Sequence, residues 1–537
     1  MVYTSKLPVK DYPTNISVYD VLFKDNHNNV PEDKLIYVDI EDPSKSLTFE
    51  QVHTQILKTA ASLKREFNLK KGDVVAICSP NQIEYPIIIH GAVCAGGVAA
   101  AIDQASSFDK IATDLNTIQA KIIIAHRETL DQVLAAARSC GLSESNILVF
   151  GGIPVGDVRA VNEIILGTDD ELAEPYPYTP EEIMNDPAYL YFTSGTTGEK
   201  KAVMITQRNI ISSMKFKSDW PFTNANVLAY TEFHHGSSLA VTMHFAIYFG
   251  VTNYVMSHFS MCRLCEVIER FKINITVTQP YVISALAKES MITNYDISSL
   301  KSVICCGAAL DNSVTLHVKK RTGLLVINTY GMTEVLGAFD STPALTEANS
   351  IGYLAPGITA RIVDENGHDV PDGQMGELLI RGPTVTKGYY RNPEATAKNF
   401  DAEGYLHTGD LVKCDENELF YYIDRSKDLI KYHLHHIYPS DIENVLMTHP
   451  KVSDCAVIGI YYPEFATELP RAYVNLVNDE RHTEGIVQEL QTYADERLSD
   501  EKRLRGGVVI VDSFPRTASG KIQRRILKQK ALHCVSA

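Results

Sequence analysis

No segment of the 537-residue chain reads as a membrane span. The most apolar stretch, Pro86 to Ile102, is interrupted by His90 and three glycines. It falls short of the roughly 20 residues that a spanning helix needs, and it reads as a buried helix running into a strand. Met1 to Asn15 lacks the apolar core of a signal peptide, and Val535-Ser536-Ala537 is not the Ser-Lys-Leu peroxisomal address. Positive charge is in short supply. Lys and Arg number 50 against 66 Asp and Glu, a net charge of −16. That disfavours a broad footprint for nucleic acid or an anionic membrane, but leaves room for a local basic pocket. Cysteine pairing is lacking too. The ten cysteines are scattered, and Cys262 and Cys265 form a C-x-x-C with no second pair nearby, so neither a zinc nor a redox role is expected. Most of the thiols lie in apolar runs, as free buried thiols do in a reducing compartment. Fixed-period repeats and low-complexity tracts are also missing. The expectation is a cytoplasmic protein, monomeric or homodimeric, that binds small molecules, not nucleic acid, and is not inserted stably in a membrane.

What is there is globular. Apolar residues make up 45% and charged residues 22%, ordinary values for a chain that buries large cores. Short β-rich runs (Val74–Cys78, Lys121–Ala125, Asn146–Phe150) alternate with helical patterns such as Glu50–Phe67. This predicts layered α/β structure with mostly parallel pairing. After Ile351 the texture changes. Ala360–Asp364, the turn Glu365-Asn366-Gly367 and Gly376–Ile380 read as short antiparallel strands of a small barrel-like subdomain. The last hundred or so residues read as a separate α+β unit, with strands at Ala456–Ile460, Ala472–Val477 and Gly507–Val511. Thr483 is expected to cap a helix that carries Ile486, Leu490, Ala494 and Leu498 on one face. The boundary falls at the charged segment Asp424-Arg425-Ser426-Lys427. The predicted organisation is α/β: an N-terminal lobe over 1–423 with two layered α/β subdomains plus a small β-barrel, a hinge at 424–427, and a small mobile α+β lobe over 428–537.

The sharpest local feature is Thr193-Ser194-Gly195-Thr196-Thr197-Gly198-Glu199-Lys200-Lys201, placed between an apolar strand and a second one, Ala202–Ile205. Glycines let a backbone approach an anion, amides and hydroxyls donate to phosphate oxygens, and lysine adds charge. The P-loop pattern is absent, and the following strand makes this loop the tip of a hairpin. The segment resembles the phosphate-binding loop of the acyl-adenylate-forming enzymes, the superfamily of acyl-CoA synthetases, 4-coumarate–CoA ligases and beetle luciferases. Further motifs follow in that family's order: Asn328-Thr329-Tyr330-Gly331-Met332-Thr333-Glu334, Tyr405-Leu406-His407-Thr408-Gly409-Asp410, Asp424-Arg425-Ser426-Lys427-Asp428, and Pro515-Arg516-Thr517-Ala518-Ser519-Gly520-Lys521. The resemblance covers roughly Leu47 to Leu527, and Arg503–Val508 is most similar to the luciferase and coumarate-ligase branch.

The resemblance implies two half-reactions. A carboxylate attacks the α-phosphate of ATP to give acyl-AMP and pyrophosphate, and a thiolate such as that of coenzyme A then takes the acyl group. ATP, Mg²⁺ and coenzyme A are the implied cofactors. Lys521 is implied as the cation between the attacking carboxylate and the α-phosphate, Thr333 as a donor to that phosphate and Glu334 as the Mg²⁺ ligand. Tyr330 would stack on adenine, Asp410 would accept the ribose hydroxyls, and Arg425 would add a ribose or phosphate contact. Gly307, Ala308, Asn328, Thr329 and Gly331 complete the implied nucleotide site. His235, in the aromatic-histidine motif Phe233–Ser238, would lie beside the acyl carboxylate. Gly236, Ser237, Ser238, Cys305, Cys306, Val335, Leu336, Gly337 and Ala338 are the expected acyl-pocket residues. Lys427, or Asp424 beside it, would be the hinge, and Lys431 would enter the site for thiolation.

Three departures qualify this reading. The loop ends Lys200-Lys201-Ala202 where relatives carry Pro-Lys-Gly, so Lys201 takes the usual lysine's place and Lys200 adds charge. Leu434 stands where relatives carry glycine on the pantetheine path, which favours an enzyme that stops at acyl-AMP or uses another nucleophile. Cys305 stands where coumarate ligases commonly carry lysine, which points away from hydroxycinnamates and toward an aliphatic or simple aryl acid.

Overall fold

The structure, a computed structural model, describes residues 2–8, 16–166, 171–193, 200–216, 225–433, 435–477, 485–517 and 520–535. The large lobe is five layers deep, and strand alternation shows why. In Val74–Cys78, Val75 and Ile77 face one core while Val74, Ala76 and Cys78 face another, the period of two that a sheet buried on both faces imposes. This strand is central in a seven-stranded sheet, parallel except where Ala202–Thr206 returns antiparallel to Pro187–Phe192. A second seven-stranded sheet repeats the pattern. Val227 and Ala229 share the first core, whereas Leu228 and Tyr230 face helices Met261–Phe271 and Pro280–Lys288. Between the sheets lies helix Phe49–Phe67, with Val52, Ile56, Ala60, Leu63 and Phe67 buried. Thr48 and Gln51 close its N-terminus as a reciprocal capping box. Tyr85–Cys94 is the buried helix expected before the strand Val98–Ala101, and it packs in the same layer. Among the described residues no helix is long and apolar enough to cross a membrane.

The barrel-like subdomain is a five-stranded antiparallel sheet, ordered Val2–Thr4, Thr359–Val363, Met375–Arg381, Leu406–Cys414 and Phe420–Arg425. Its first strand comes from the extreme N-terminus. Three residues are too few to show an alternating pattern, so sequence reading left this strand out. The small lobe packs Pro439–Met447 and Ile486–Asp495 on one face of Val452–Tyr462, and Arg524–Val535 on the other. The expected cap Thr483 lies outside the described residues.

One helix of the large lobe receives the small lobe. At the end of Pro280–Lys288, the Lys288 ammonium donates to the carbonyls of Met447 (2.7 Å), His449 (3.4 Å) and Val452 (2.6 Å). A turn earlier, the Ser284 hydroxyl donates to the Ser453 carbonyl at 2.5 Å. At the other end, Arg516 lies over the Tyr281 ring, 4.5 Å from its centroid. Gly520, at φ +77°, passes so near that a Cβ would lie 3.0 Å from Tyr281 and 3.1 Å from Gln279. Burial pulls the Lys288 ammonium down to about 8. Lys288→Met leaves these carbonyls without their donor and is expected to shift the lobe equilibrium by about 1–3 kcal/mol, roughly 5- to 150-fold. Tryptic cleavage at Arg425 and Lys427 should accelerate while the large lobe's melting temperature holds. Unchanged cleavage would contradict the latch.

Candidate active site

Strands Pro187–Phe192 and Ala202–Thr206, on either side of the hydroxyl-rich segment, pair antiparallel. The Thr193 N–H donates to the Lys201 carbonyl (3.0 Å), and the Lys201 N–H donates to Thr193 Oγ1 (3.2 Å). Ser194, Gly195, Thr196, Thr197 and Gly198 lie outside the described residues. Lys201 Nζ sits over the Tyr389 ring, 4.8 Å from its centroid, and the Tyr389 hydroxyl donates to Glu334 Oε1 at 2.9 Å. Tyr389 thus joins the loop lysine to the buried Glu334 carboxylate. Sequence reading missed it, because Gly388-Tyr389-Tyr390 sits in a turn-rich stretch with no chemistry of its own. Lys200 donates to Ser106 Oγ (3.0 Å) and lies 3.6 Å from Asp103 and 3.5 Å from Asp114, so its added charge is paired with carboxylates. Asp114, pushed up to about 6 by burial, and Asp103 draw the ammonium inward.

Strands Ser302–Cys305 and Leu325–Asn328 end side by side, with Cys305 paired to Asn328. The residues that follow leave the sheet at its carboxyl edge, where open α/β sheets place their ligands. The Thr329 N–H donates to the Cys305 carbonyl at 2.8 Å, Gly307 turns the chain at φ +92°, and Gly331 passes close to the Val335 carbonyl. The Tyr330 hydroxyl donates to Asp410 Oδ2 (2.7 Å), and Arg425 Nε faces Asp410 Oδ1 (2.8 Å). Asp410 and Arg425 are directly opposed in the five-stranded sheet, so pairing register delivers both to one spot. A carboxylate offers about four lone-pair positions. Tyr330 takes one, and Oδ1, which lies against Arg425 without a hydrogen bond, leaves room to accept a diol.

A cavity of about 170 Å³ lies beside these groups. Thr329, Tyr330, Thr333 and Lys521 line its polar end, and Ala240, Val241, Phe245, Ile304, Leu336 and Phe339 line an apolar region. Lys521 arrives from the small lobe on the turn Thr517–Lys521, closed by the Thr517 N–H to the Lys521 carbonyl at 2.8 Å. Burial lowers its pKa, the Arg425 guanidinium adds to that, and Asp410 and Glu334 oppose it. His235 lines the cavity with Gly236, Ser237, Cys306, Val335 and Gly337.

Several expected residues stand elsewhere. Cys305 points into the outer core with Val303, because neighbouring residues of a strand face opposite ways, and Cys306 takes the cavity side. Ser238 bonds to Thr231, and Ala338 is buried in the core of the five-stranded sheet. Ala308 is exposed, and Asn328, the last residue of its strand, bonds through its N–H to Thr346. Lys427 is exposed in the turn Ser426–Asp428, and Lys431 is exposed on the hairpin strand Ile430–Tyr432, away from the cavity. Leu434 lies outside the described residues. The pocket's apolar wall from the wide helical turn Leu239–Phe245 was also missed. A continuous apolar run does not announce which side chains face a ligand.

The sequence model of the AMP-binding enzyme matches residues 23–390, and that of the AMP-binding enzyme C-terminal domain matches 441–521. The chain belongs to the AMP-binding enzyme family. It is an adenylate-forming enzyme of the acyl-CoA ligase group. It is 32% identical to a phenylacetyl-CoA ligase of Aspergillus niger, over 93% of this chain and 94% of that one. It is 28% identical to a probable 4-coumarate–CoA ligase of Dictyostelium discoideum, over 98% and 97% respectively. The structure of an anthranilate CoA ligase in complex with anthranoyl-AMP superposes with a TM-score of 0.88 over 99% of this chain and 100% of that one, at 23% identity.

Magnesium, which this family implies, is a hard cation that takes one or two carboxylates and shares phosphate oxygens. Glu334 fits that demand. It is buried at 6% exposure, and Tyr389 holds only one of its oxygens. Tyr389→Phe removes that hydroxyl and leaves the rest of the ring. We expect the KM for Mg·ATP to rise about three- to tenfold, with thermal stability changed by less than about 1.5 kcal/mol, the net worth of one hydrogen bond. An unchanged KM would separate Tyr389 from nucleotide binding.

Proposed function

We propose that this enzyme joins a carboxylic acid to coenzyme A in two steps. The acid's carboxylate oxygen attacks the α-phosphorus of Mg·ATP, pyrophosphate leaves, and acyl-AMP remains. The coenzyme A thiolate then attacks the acyl carbonyl carbon, and AMP leaves. The observation that carries this reading is Lys521. It lines the same cavity as His235 at the acyl end, and Asp410 and Glu334 lie close enough to bias its charge. Two anions must meet in the first step, and a buried cation aimed between them stabilises the charge that develops there. Bound Mg²⁺ would neutralise phosphate charge from Glu334.

The acyl region is lined by Ala240, Val241, Phe245, Ile304, Leu336 and Phe339. This supports an aliphatic or simple aryl acid as substrate. Between the steps the small lobe turns about 424–427. Asp424 is buried here and accepts the Ser440 N–H at 3.0 Å, a contact across that hinge. Lys431, exposed in this orientation, would then enter the site. Leu434, where the family resemblance implies glycine, favours a second reading in which the enzyme releases acyl-AMP to another nucleophile.

Pyrophosphate release measured with a panel of acids, with and without coenzyme A, tests the proposal. Acid-dependent release without coenzyme A and thioester formation with it are expected. Release without any thioester would favour the second reading, and no release with any acid would overturn both. Lys521→Ala should lower acyl-AMP formation roughly 100- to 1,000-fold, the cost of removing one such donor, while sparing thioester formation from supplied acyl-AMP. Lys431→Ala should do the reverse. Equal losses in both steps for both variants would count against the turning lobe.

A further inference from the structure

The turn Glu232–His235, closed by the His235 N–H to the Glu232 carbonyl at 3.1 Å, gathers more ligating groups than acid binding uses. Glu232 Oε2 lies 3.3 Å from His235 Nε2 and 3.9 Å from His234 Nε2. Asp103 Oδ1 approaches His234 Nε2 from the neighbouring sheet at 3.7 Å. One ligand atom each from Glu232, His234 and His235 falls within 4.8 Å of the others, and among the described residues this trio is the group so arranged. A zinc ion takes imidazole nitrogen at about 2.0–2.1 Å in tetrahedral geometry, which sets neighbouring ligand atoms about 3.3–3.5 Å apart. The observed spacings need only small side-chain rotations to reach that.

Both ring nitrogens of His234, Nε2 of His235 and Oε2 of Glu232 are buried without a hydrogen-bond partner. An unsatisfied buried polar atom costs about 1–3 kcal/mol, and four of them converge here. Burial pulls His234 down to about 3, with His235 beside it adding to the shift, so its ring is neutral at physiological pH. Neutral imidazole is the form that ligates metals. The charges around the cluster are Glu232, Asp103 and Asp114 against Lys200 and Lys521, the latter in the cavity that His235 lines, three carboxylates to two ammoniums. Two imidazoles with carboxylate suit zinc, cobalt, nickel or copper ions and do not suit magnesium or calcium.

We propose that Glu232, His234 and His235, with Asp103 completing the set, bind a divalent transition-metal ion of the zinc class, and that this ion inhibits acid activation by engaging His235. The inhibitory part rests on the proposed function, because it requires His235 to face the acid. The binding part does not.

The test uses the full chain freed of metal with a chelator. Zn²⁺ is titrated by calorimetry and Co²⁺ by visible absorption. One ion per chain is expected, with cobalt bands of a nitrogen- and oxygen-ligated site. Glu232→Gln and His234→Gln should each weaken binding at least about tenfold, the scale of losing a metal-site contact. Glu232→Gln keeps the side chain's shape at a half-buried position, which guards against a folding artefact. The double variant His435→Asn with His436→Asn, on the exposed hairpin, should bind as wild type does. Absence of stoichiometric binding, binding untouched by both site variants, or binding lost in the hairpin variant would overturn the site. In acid-dependent pyrophosphate release, Zn²⁺ should raise the KM for the acid in wild type and not in Glu232→Gln. Tight binding with an unaltered KM would overturn the inhibition. If no acid supports release, the proposed function fails while the titrations still decide the site.

Discussion

The contact between helix Pro280–Lys288 and the small lobe governs the chemistry of the cavity, because Lys521 belongs to the lobe that docks there. A carboxylate and a polyphosphate repel each other, and in a cavity shielded from water that repulsion is weakly screened. Lys201 rests on Tyr389 at the loop, and Arg425 is paired with Asp410. Lys521 is the further cation facing the cavity, and three polar contacts spaced along one helix hold its lobe in register: Lys288 to backbone carbonyls, Ser284 to Ser453, and Arg516 over Tyr281. Hydrogen bonds and a stacked guanidinium give orientation while contributing little net affinity each. Such an interface holds Lys521 at the cavity without a large apolar seal.

The same economy shows in the buried charges around the phosphate loop. Asp103 and Asp114 meet Lys200 from two elements of the first sheet's layer. Only Asp114 of the three is fully buried, so removing the half-buried Lys200 leaves that carboxylate without its cation. The start of strand Ala202–Thr206 is held by this ionic contact. Beside it the Glu232–His235 turn places two histidines against further carboxylates, and the two clusters share Asp103.

Much of this was legible in the sequence, for identifiable reasons. Val74–Cys78 and Pro86–Ile102 are apolar runs and Phe49–Phe67 carries a helical period, and their structures follow: a strand buried on both faces, a buried helix leading into a strand, and a helix buried on one side. Tyr330, Asp410, Arg425 and Lys521 stand in short contiguous motifs, and the fold brings them to one cavity edge. What was not legible depended on register or on long-range contact. Cys305 and Cys306 are indistinguishable in sequence, yet a strand's alternation sends one to the core and the other to the pocket. Tyr389 acquires its role from Glu334, 55 positions away. Lys288 looks like an ordinary basic residue at a helix end until the small lobe's carbonyls arrive. Val2–Thr4 is too short to carry a pattern and is a strand only because Thr359–Val363 offers it an edge.

The central claim is that the docked orientation serves acyl-AMP formation and must be left for thioester formation. The Ser284 hydroxyl meets the Ser453 carbonyl at 2.5 Å across the lobe boundary, so a cross-link there holds the docked orientation; the variant is Ser284→Cys with Ser453→Cys, with disulfide formation confirmed by loss of free thiol before assay. The most direct measurement compares acid-dependent ATP–pyrophosphate exchange and thioester formation in the oxidised and reduced forms of this variant. The account predicts that the locked form keeps its exchange rate and loses thioester formation at least about tenfold, equivalent to about 1.4 kcal/mol in the barrier, with recovery on reduction. A locked enzyme that makes thioester as fast as the reduced one would contradict it.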